Sequence, residues 1–460
     1  MIPSFLAVIV QVFFSLGLGW SFLYGRSSQG LKGEELPSSV MAGIFLQTMF
    51  LFLLLIAGLS LGTSVGLIFA AALAALLLCL WKTKRDLSRF SAYSFHWYEI
   101  VALLIILCQV ILALFMLCQT PVLFEDAMTH WSGRARSLYG GVNWSFDPSS
   151  PVFLGFTGAK HYPLGVPLYR AMTAVIAGGW DDFIARADGL VFYITAVATV
   201  WFTLRRFSGQ RWLASAGAFV VATLPLQIVH SVSGYSDIAV EAFFAGSVAA
   251  LLRREWLVAG LLAAGTAWMK NDGLVIAIPP LFITACLLQG SGRWPLRSLC
   301  KEDGRNIMLF LVGLLPLFPW LLFNMIHGLG VSPGGQSLAW HAEAWSLLLN
   351  YVFLGPTHSI FWIFTIIVLL VCGKEYLRDR KGLALLILFV LSMISALLVF
   401  VCTEAYAFLE NETTIHRTML QLYGMTVIVV FYGIHLKLHK RSMAAPEPRE
   451  TKKSRRQKKQ

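Results

Sequence analysis

The sequence predicts an all-α polytopic membrane protein with about 13 transmembrane helices. The first supporting observation is composition, because 57% of the 460 residues are hydrophobic and only 13% are charged. Soluble domains average about 45–50% hydrophobic and about 25% charged residues, so a water-soluble core could not hide this excess. The second observation is that the hydrophobic residues form runs of about 20, the length that crosses a bilayer. Collagen-like, disordered and small disulfide-stapled proteins are excluded by the same composition.

The predicted spans are hydrophobic runs long enough to cross the hydrocarbon core, or slightly shorter runs that a helix bundle tolerates. Gly and Ser at 58–64 divide one long hydrophobic stretch into two spans, and residues 270–273 divide another. The spans lie at about residues 2–24, 40–61, 62–81, 99–118, 187–204, 212–229, 237–252, 256–269, 274–288, 307–326, 357–372, 383–402 and 418–436.

Basic residues orient these spans, since Lys and Arg in short loops are retained on the cytoplasmic side. Alternate connections and the C-terminal tail hold 29 of the 36 basic residues. This pattern predicts an extracytoplasmic N-terminus and a cytoplasmic C-terminus. The basic residues that remain on the outer side are Arg134, Arg136, Lys160, Arg170, Arg186, Lys270 and Arg417.

The pattern of spans and charges divides the chain into four parts. Residues 1–98 are predicted to be accessory transmembrane helices, and residues 99–290 a core that includes an outer loop at 119–186. Residues 291–441 are predicted C-terminal transmembrane helices. Residues 442–460 form a basic tail that is predicted to be disordered in the cytoplasm. Its position beside the last span favours contact with anionic lipid over nucleic-acid binding.

The outer loop is the one long external connection, so function is expected there. It begins with Glu125 and Asp126, a few residues after a span ends. Asp126, His130 and Arg134 recur every four residues, and on a helix they would share one face. The loop is therefore expected to hold a carboxylate at membrane level with a cation one or two turns away.

The second half of the outer loop is rich in Pro and contains Lys160, His161 and Tyr162. The apolar segment that follows ends near residue 179. A full crossing there would place two later arginines outside and break the alternation of charge. The segment is therefore predicted to be an interfacial or re-entrant helix.

Three more ionisable clusters are expected at the same outer level. Asp237 begins a span, Lys270 and Asp272 lie between two spans, and Arg417 precedes the last span. Charged groups at span ends are costly unless they face a polar cavity, and they mark a functional site by default.

A carboxylate at membrane level near Arg and Lys suits transfer of a group from a phosphate-linked lipid to an incoming hydroxyl. The carboxylate can take the proton of the acceptor as a general base. The cations can stabilise the departing phosphate. Because the lipid tail stays in the membrane, no soluble nucleotide is needed, and the sequence contains neither a dinucleotide-binding motif nor a P-loop.

Four short motifs on the outer side carry a resemblance to a known family. They are Glu125-Asp126-x4-Trp131-x2-Arg134-x-Arg136, His161-Tyr162-Pro163, Gly234-Tyr235-Ser236-Asp237 and Lys270-Asn271-Asp272-Gly273. In their order and common sidedness the sequence resembles the GT-C superfamily of membrane glycosyltransferases. More narrowly, it is similar to the bacterial dolichyl-phosphate-mannose-protein mannosyltransferase and aminoarabinose transferase type. The resemblance covers about residues 99–290, and Arg417 is a weaker match outside that range.

The resemblance implies a GT-C-like bundle that moves a sugar from a polyprenyl-phosphate donor to a cell-envelope acceptor. It implies an inverting reaction at the outer face of a bacterial inner membrane, with Asp126 at the position of the family's catalytic acidic residue, a carboxylate base, and Glu125 beside it. The residues predicted to bind the donor phosphate or substrate are Arg134, Arg136, Lys160, His161, Tyr162, Asp237, Lys270, Asp272 and Arg417. No cofactor or metal is expected. The expected partners are the lipid-linked donor, membrane lipids and an unidentified glycan, lipid or protein acceptor, and not nucleic acid.

The sequence also departs from the family. The motif His416-Arg417-Thr-Met-Leu-Gln-Leu-Tyr lacks the Pro that is common in the family, and three predicted spans precede the core. No large soluble domain follows the last span, so acceptor recognition is expected to come from membrane loops.

Other interpretations stay open. A transporter or flippase of lipid-linked glycans is one, although the spans carry little mid-membrane charge and no visible repeat. A polysaccharide polymerase or ligase is another, although its large loop would be expected late in the chain. Among the residues, Arg134 and Arg136 could snorkel at the interface, Asp237 could stabilise a helix N-terminus, and Lys270 could pair with Asp272.

Overall fold

The structure is a computed structural model, and it describes residues 2–25, 32–83, 94–155, 159–289, 304–331, 338–355 and 359–444. These residues form α-helices, short 3₁₀ and π-helical turns and two isolated β-bridges, with no strand in the described ranges. The all-α class predicted from the sequence is confirmed at this level. Residues 445–460, most of the predicted basic tail, lie outside the described residues.

The described α-helices are numbered here in chain order. They are α1 Ile2–Tyr24, α2 Leu36–Ile56, α3 Leu61–Thr83, α4 Trp97–Gln119, α5 Arg134–Gly140, α6 Gly165–Ala177, α7 Ala187–Ser208, α8 Arg211–Thr223, α9 Pro225–Ser233, α10 Asp237–Leu252, α11 Trp256–Met269, α12 Asp272–Ile276, α13 Ile278–Gln289, α14 Gly304–Leu314, α15 Phe318–Ile326, α16 Ala344–Leu349, α17 Ser359–Val371, α18 Gly373–Arg378, α19 Arg380–Cys402, α20 Tyr406–Glu410, α21 Ile415–Leu420 and α22 Tyr423–Ala444.

Several of these helices support a multi-pass membrane protein. In the described residues, eight helical segments are long and apolar enough to cross a membrane, and the bent pair α8 and α9 would make nine. The eight are Ile2–Tyr24, Gly33–Ile56, Leu61–Trp81, Trp97–Gln119, Ala187–Ser208, Asp272–Gln289, Gly304–Ile326 and Arg380–Cys402. Each of the other predicted spans also coincides with a helix, but the total of 13 and the orientation of the termini stay predictions.

Local sequence explains where the long helices break. Four residues separate α2 from α3, and Gly58 in that connection has a φ of +86°, a conformation that Gly adopts at no steric cost. The break falls in the segment where the sequence predicted a hairpin. Between α8 and α9 the helix axis bends by 58° at Pro225, which cannot continue the hydrogen-bond ladder of the preceding turn.

The predicted interfacial or re-entrant segment is α6. Its 13 residues span roughly 20 Å, which is less than the hydrocarbon thickness. The first ten, Gly165 to Ala174, are buried against α1, α2 and α5. Protein therefore covers the backbone of this short helix, as non-spanning segments at membrane depth require.

The two N-terminal helices pack into the same core as the outer loop. A Cβ on Gly43 of α2 would lie only 1.8 Å from the carbonyl oxygen of Ser15 in α1, so the two helices approach as closely as Gly allows. The amide of Gln11 in α1 donates to the carbonyl of Tyr169 in α6 at 3.1 Å. The predicted accessory helices thus support the segment that carries part of the outer loop.

α10 lies at the centre of the bundle. Every residue from Asp237 to Leu252 is buried, and the helix packs against α2, α7, α11 and α22. Such all-round burial of a helix is typical of the interior of a large bundle. It fixes the position of Asp237, the first residue of α10.

Candidate functional site

A cavity of about 510 Å³ lies where the outer loop meets the ends of several helices. Its wall comes from four parts of the chain: the start and middle of the outer loop, the break between α11 and α12, the C-terminal half of α19, and the segment from α20 to α21. The polar residues in the wall are Asp126, His130, His161, Tyr162, Lys270, Asn271, Asp272, Asn411, Thr413, Thr414, Arg417 and Thr418.

Asp237 is the fully buried anion behind the cavity. Nζ of Lys270 lies 2.9 Å from its Oδ1, and Nε of Arg417 lies 3.0 Å from its Oδ2. The side-chain amide of Gln421 donates to Oδ1 at 2.7 Å. A buried carboxylate is tolerated only when it is paired and hydrogen-bonded, and Asp237 meets that condition with three donors.

Asp126 is the most exposed carboxylate of the cavity wall, with 38% of its side chain exposed against 26% for Asp272. Nη1 of Arg417 lies 2.5 Å from its Oδ2, and Nε2 of His130 lies 3.8 Å from its Oδ1. Arg417 therefore bridges one buried and one exposed acid. Asp126 and Arg417 are in contact although 291 positions separate them in the sequence.

Lys270 joins the bridge to a third acid, Asp272. Nζ of Lys270 lies 2.7 Å from Oδ2 of Asp272, and Gln421 donates to the same oxygen at 2.8 Å. Burial alone would lower the pKa of Lys270, but the charges of Asp237 and Asp272 more than offset that effect and raise it. The pairing of Lys270 with Asp272 that the sequence suggested is present, and Lys270 also contacts Asp237.

An aromatic ring packs against the guanidinium of Arg417. Its guanidinium carbon lies 4.0 Å from the centroid of the Tyr235 ring, a cation–π contact. Tyr235 follows Gly234, whose φ of +82° turns the chain between α9 and α10. Burial would lower the pKa of Arg417, whereas Asp237 and Asp126 raise it above its ordinary value. Arg417 is thus a permanent cation fixed on three sides.

Arg134 lies away from this cluster. The residues from Ala127 to Gly133 form a π-helical turn, and Arg134 after it is fully buried. Its guanidinium donates to the carbonyls of Leu154 at 2.9 Å and Tyr162 at 3.0 Å. Burial without a carboxylate partner lowers its pKa to about 9. Arg134 does not line the cavity with Asp126. Its guanidinium instead satisfies carbonyls of the irregular loop backbone.

Glu125, Arg136 and Lys160 are exposed and are not part of the cavity wall. Nζ of Lys160 lies over the ring of Phe153, 5.6 Å from its centroid. The structure therefore does not bring these three predicted site residues to the cluster around Arg417.

His161 and Tyr162 do line the cavity, and their ring centroids lie 4.4 Å apart. Burial, with smaller effects from His130 and Arg134, lowers the pKa of His161 to about 4. Burial likewise lowers the pKa of His130 and raises that of Tyr162. Near neutral pH these three side chains are therefore uncharged, and the fixed positive charge of the cavity comes from Lys270 and Arg417.

Two residues of the site were not identified from the sequence. Gln421 donates to both Asp237 and Asp272, and it follows Arg417 by four residues, one helical turn away. The amide of Asn271 donates to the carbonyls of His161 and Val331, both at 2.9 Å, and so joins the outer loop to the helix break. The only feature of the sequence that could have identified Gln421 as a site residue is its position one helical turn after Arg417.

The remaining outer arginines hold the outer loop together. Arg170 of α6 pairs with Asp188 of α7 through two contacts of 2.8 and 3.0 Å, and it also donates to Ser132 and to the carbonyl of Gly234. Arg186 donates to the carbonyl of Leu117 in the last turn of α4 at 3.1 Å. Both side chains are buried and away from the cavity wall.

In the described part of the chain no group of three or more His, Cys, Asp or Glu side chains is arranged to hold a metal ion. Asp181, which directly precedes Asp182 in the chain, accepts hydrogen bonds from Ser4 at 2.5 Å and from the backbone N–H of Ile184 at 2.8 Å. Its carboxylate therefore connects α1 to the start of the turn before α7.

No protein-family model, curated protein or solved structure matches the chain. The resemblance to membrane glycosyltransferases thus depends on the motifs quoted from the sequence.

Proposed function

We propose that the chain is a membrane glycosyltransferase. It moves a sugar from a polyprenyl-phosphate donor to a cell-envelope glycan, lipid or protein at the outer face of the membrane, with inversion at the anomeric carbon. The observation that carries the proposal is the sharing of Arg417 between buried Asp237 and exposed Asp126 in a cavity of about 510 Å³. A fixed cation beside an accessible base is what this reaction requires.

Asp126 is the best candidate for the base among the three acids of the cluster. Asp237 is fully buried and holds three donors. Asp272 is held by Lys270 and Gln421. Asp126 has one close cation and exposes more than a third of its side chain, so it can meet an acceptor hydroxyl.

Arg417 and Lys270 are the groups proposed to stabilise the donor phosphate. Together with Asp126, Asp237 and Asp272 they make a cluster of two cations and three carboxylates. An incoming phosphodiester anion must therefore displace a carboxylate from Arg417. Asp126 is the one that can leave, because Asp237 is fixed by two further donors, and its release from Arg417 also prepares it to take a proton.

In the proposed step the acceptor oxygen attacks the anomeric carbon and its proton passes to Asp126. The bond from the anomeric carbon to the phosphate oxygen breaks, and its electron pair leaves with polyprenyl phosphate. The negative charge that develops on this oxygen is stabilised by the guanidinium of Arg417 and the ammonium of Lys270. Both charges are already in position, which removes the cost of arranging them during the reaction.

The apolar part of the wall supports a donor with a lipid tail. It includes Val275 of α12, Val399 and Phe400 of α19, and Phe408 of α20. Val275 and Phe408 expose nearly half of their side chains. A polyprenyl chain leaving the cavity on this side would stay among apolar groups while its phosphate reaches Arg417.

The experiment compares an Asp126→Asn variant with the wild type, both purified and returned to membranes that contain polyprenyl-phosphate sugars. The variant is expected to insert and fold normally but to lose about 100-fold or more of glycosyl transfer, because an amide cannot accept the acceptor proton. Asp147→Asn, an exposed acid of the same loop away from the cavity, is the matched control. Formation of the glycosidic product is measured by mass spectrometry.

Transfer at the wild-type rate by Asp126→Asn would refute the proposed mechanism. Mass spectrometry of cell-envelope glycans with and without the chain identifies the transferred sugar. A transporter would change the distribution of the lipid-linked sugar across the membrane without forming a new glycosidic bond.

A further inference from the structure

Glu241 is a second acid on α10, one turn deeper than Asp237. Its side chain is fully buried. Within the part of the chain that the structure describes, Lys270 and Arg417 form the ion pairs of α10, and both do so with Asp237 and not with Glu241. Two acids four residues apart on one helix therefore have opposite surroundings, one with two cations and one with none.

Of the two carboxyl oxygens of Glu241, Oε1 accepts a hydrogen bond and Oε2 has no partner. The amide of Gln227 in α9 donates to Oε1 of Glu241 at 2.5 Å. Gly424 of α22 lies against the same oxygen, since a Cβ there would be 3.2 Å from Oε1. The other oxygens of both side chains, Oε2 of Glu241 and Oε1 of Gln227, are buried and have no hydrogen-bond partner. Two unpartnered acceptors thus belong to two groups that already share one hydrogen bond.

We propose that Glu241 binds a proton and forms a cyclic acid–amide pair with Gln227. The hydroxyl on Oε2 of Glu241 donates to Oε1 of Gln227, while the amide of Gln227 donates to Oε1 of Glu241. One proton satisfies both unpartnered oxygens at once. It also removes a negative charge that would otherwise be buried without a counter-charge, the most costly state for a carboxyl group.

The neighbouring titratable groups are compatible with a neutral Glu241. The phenols of Tyr193 in α7 and Tyr423 in α22 act on it electrostatically. A phenol is neutral near neutral pH, so neither ring supplies the positive charge that an ionised Glu241 would need. Lys270 and Arg417, from the break before α12 and from α21, are already engaged by Asp237.

The proton site lies directly behind the cavity. Gln227 and Glu241 close the hairpin of α9 and α10, and the turn between them carries Tyr235 and ends at Asp237. Both of these residues contact Arg417. Gln227 and Glu241 are therefore positioning residues that hold the turn against the cation, and the pair is independent of which reaction the cavity performs.

Infrared spectroscopy of the purified full chain in lipid nanodiscs tests the proposal. At neutral and mildly alkaline pH the wild type is expected to give the carbonyl band of a protonated carboxylic acid, shifted in D₂O. The band is expected to be absent from Glu241→Gln. The matched control is Glu255→Gln, which removes a carboxylate that lies 2.8 Å from Nη2 of Arg253, so this variant should keep the band. A wild-type spectrum without the band, or the same band in Glu241→Gln, overturns the proposal.

The pH dependence of unfolding is the second measurement. A folded state that holds one more proton than the unfolded chain loses stability as pH rises above the ordinary pKa of Glu. The folding equilibrium constant falls tenfold per pH unit until the carboxyl group of the folded chain also loses its proton. Glu241→Gln should lack this slope and be the more stable protein at alkaline pH, and identical slopes would contradict the proposal. If Glu241→Gln does not fold, Gln227→Leu is used, where loss of the amide must shift the acid band, and an unshifted band is the refuting result.

Discussion

The outer cations of the chain fall into two regions with different partners. In the loop region, Arg134 and Arg186 donate to backbone carbonyls, and Arg170 pairs with a carboxylate away from the cavity. In the cavity region, Lys270 and Arg417 are held by three carboxylates, of which Asp126 is the most exposed. All five side chains are on the predicted outer side and all are largely buried.

The difference teaches that sidedness and burial do not identify a functional cation. The buried guanidiniums of Arg134 and Arg186 donate to backbone carbonyls, so neither can turn toward a substrate without loosening the loop. A guanidinium shared with an accessible carboxylate can exchange that partner for another anion. The accessibility of the partner therefore separates a structural arginine from one that can bind a phosphate: Arg170 pairs with buried Asp188, and Arg417 with partly exposed Asp126. Variants in the two regions should fail in different ways.

Among substitutions of the outer cations, the largest effect is expected from Arg417→Lys. Lysine keeps the positive charge but lacks the planar guanidinium that contacts two acids at once. Either Asp237 or Asp126 therefore loses its contact with residue 417. Glycosyl transfer should fall roughly 100-fold, the usual cost of one lost electrostatic donor at a reacting centre. The measurement is product formation per folded molecule in reconstituted membranes, with size-exclusion behaviour as the check on folding. Wild-type transfer by this variant would place Arg417 with the structural arginines.

A smaller effect, on stability and not on chemistry, is expected from Arg134→Met. Methionine fills the volume but leaves the carbonyls of Leu154 and Tyr162 without their charged donor, which should lower the free energy of unfolding by about 2 kcal/mol. Arg136→Gln, an exposed change two residues away, is the control and should leave stability unchanged. Denaturant unfolding of both purified variants measures the difference. A fall in transfer rate at full stability would instead return Arg134 to the cavity region.

Sequence alone predicted much of the fold because membrane spans follow from hydropathy. The hairpin after α2 and the short α6 were both expected from Gly placement and from charge alternation. The total number of spans was harder to predict, since several helices inside the bundle are shorter than the about 20 residues that cross a bilayer. Examples are α10 with 16 residues and α11 with 14, which are buried among neighbouring helices.

The site was predicted only in part, for a physical reason. Asp126, Asp237 and Lys270 could be found because charge at a span end is costly. The partner of Asp126 could not, because spacing along the outer loop suggested Arg134 whereas packing supplies Arg417 from 291 residues away. Gln421 is neutral and lies in an apolar run, so only the folded chain reveals that it donates to two carboxylates.

The smallest effect concerns His161, which lies between the two regions. Asn271 of the cavity binds its carbonyl, and the charge of Arg134 contributes to its low pKa. In the folded chain that pKa is about 4, below the ordinary value of about 6.5, so the folded state binds fewer protons than the unfolded chain between these pH values. Stability should therefore fall as pH drops from about 6.5 to about 4, and no contribution from His161 is expected above that window. Comparing the wild type with His161→Gln by thermal unfolding across this range measures the effect. An unchanged pH slope in His161→Gln would mean that His161 does not contribute to the pH dependence of stability. A shallower slope in Arg134→Met than in the wild type would show that Arg134 and His161 interact electrostatically and so link the two regions.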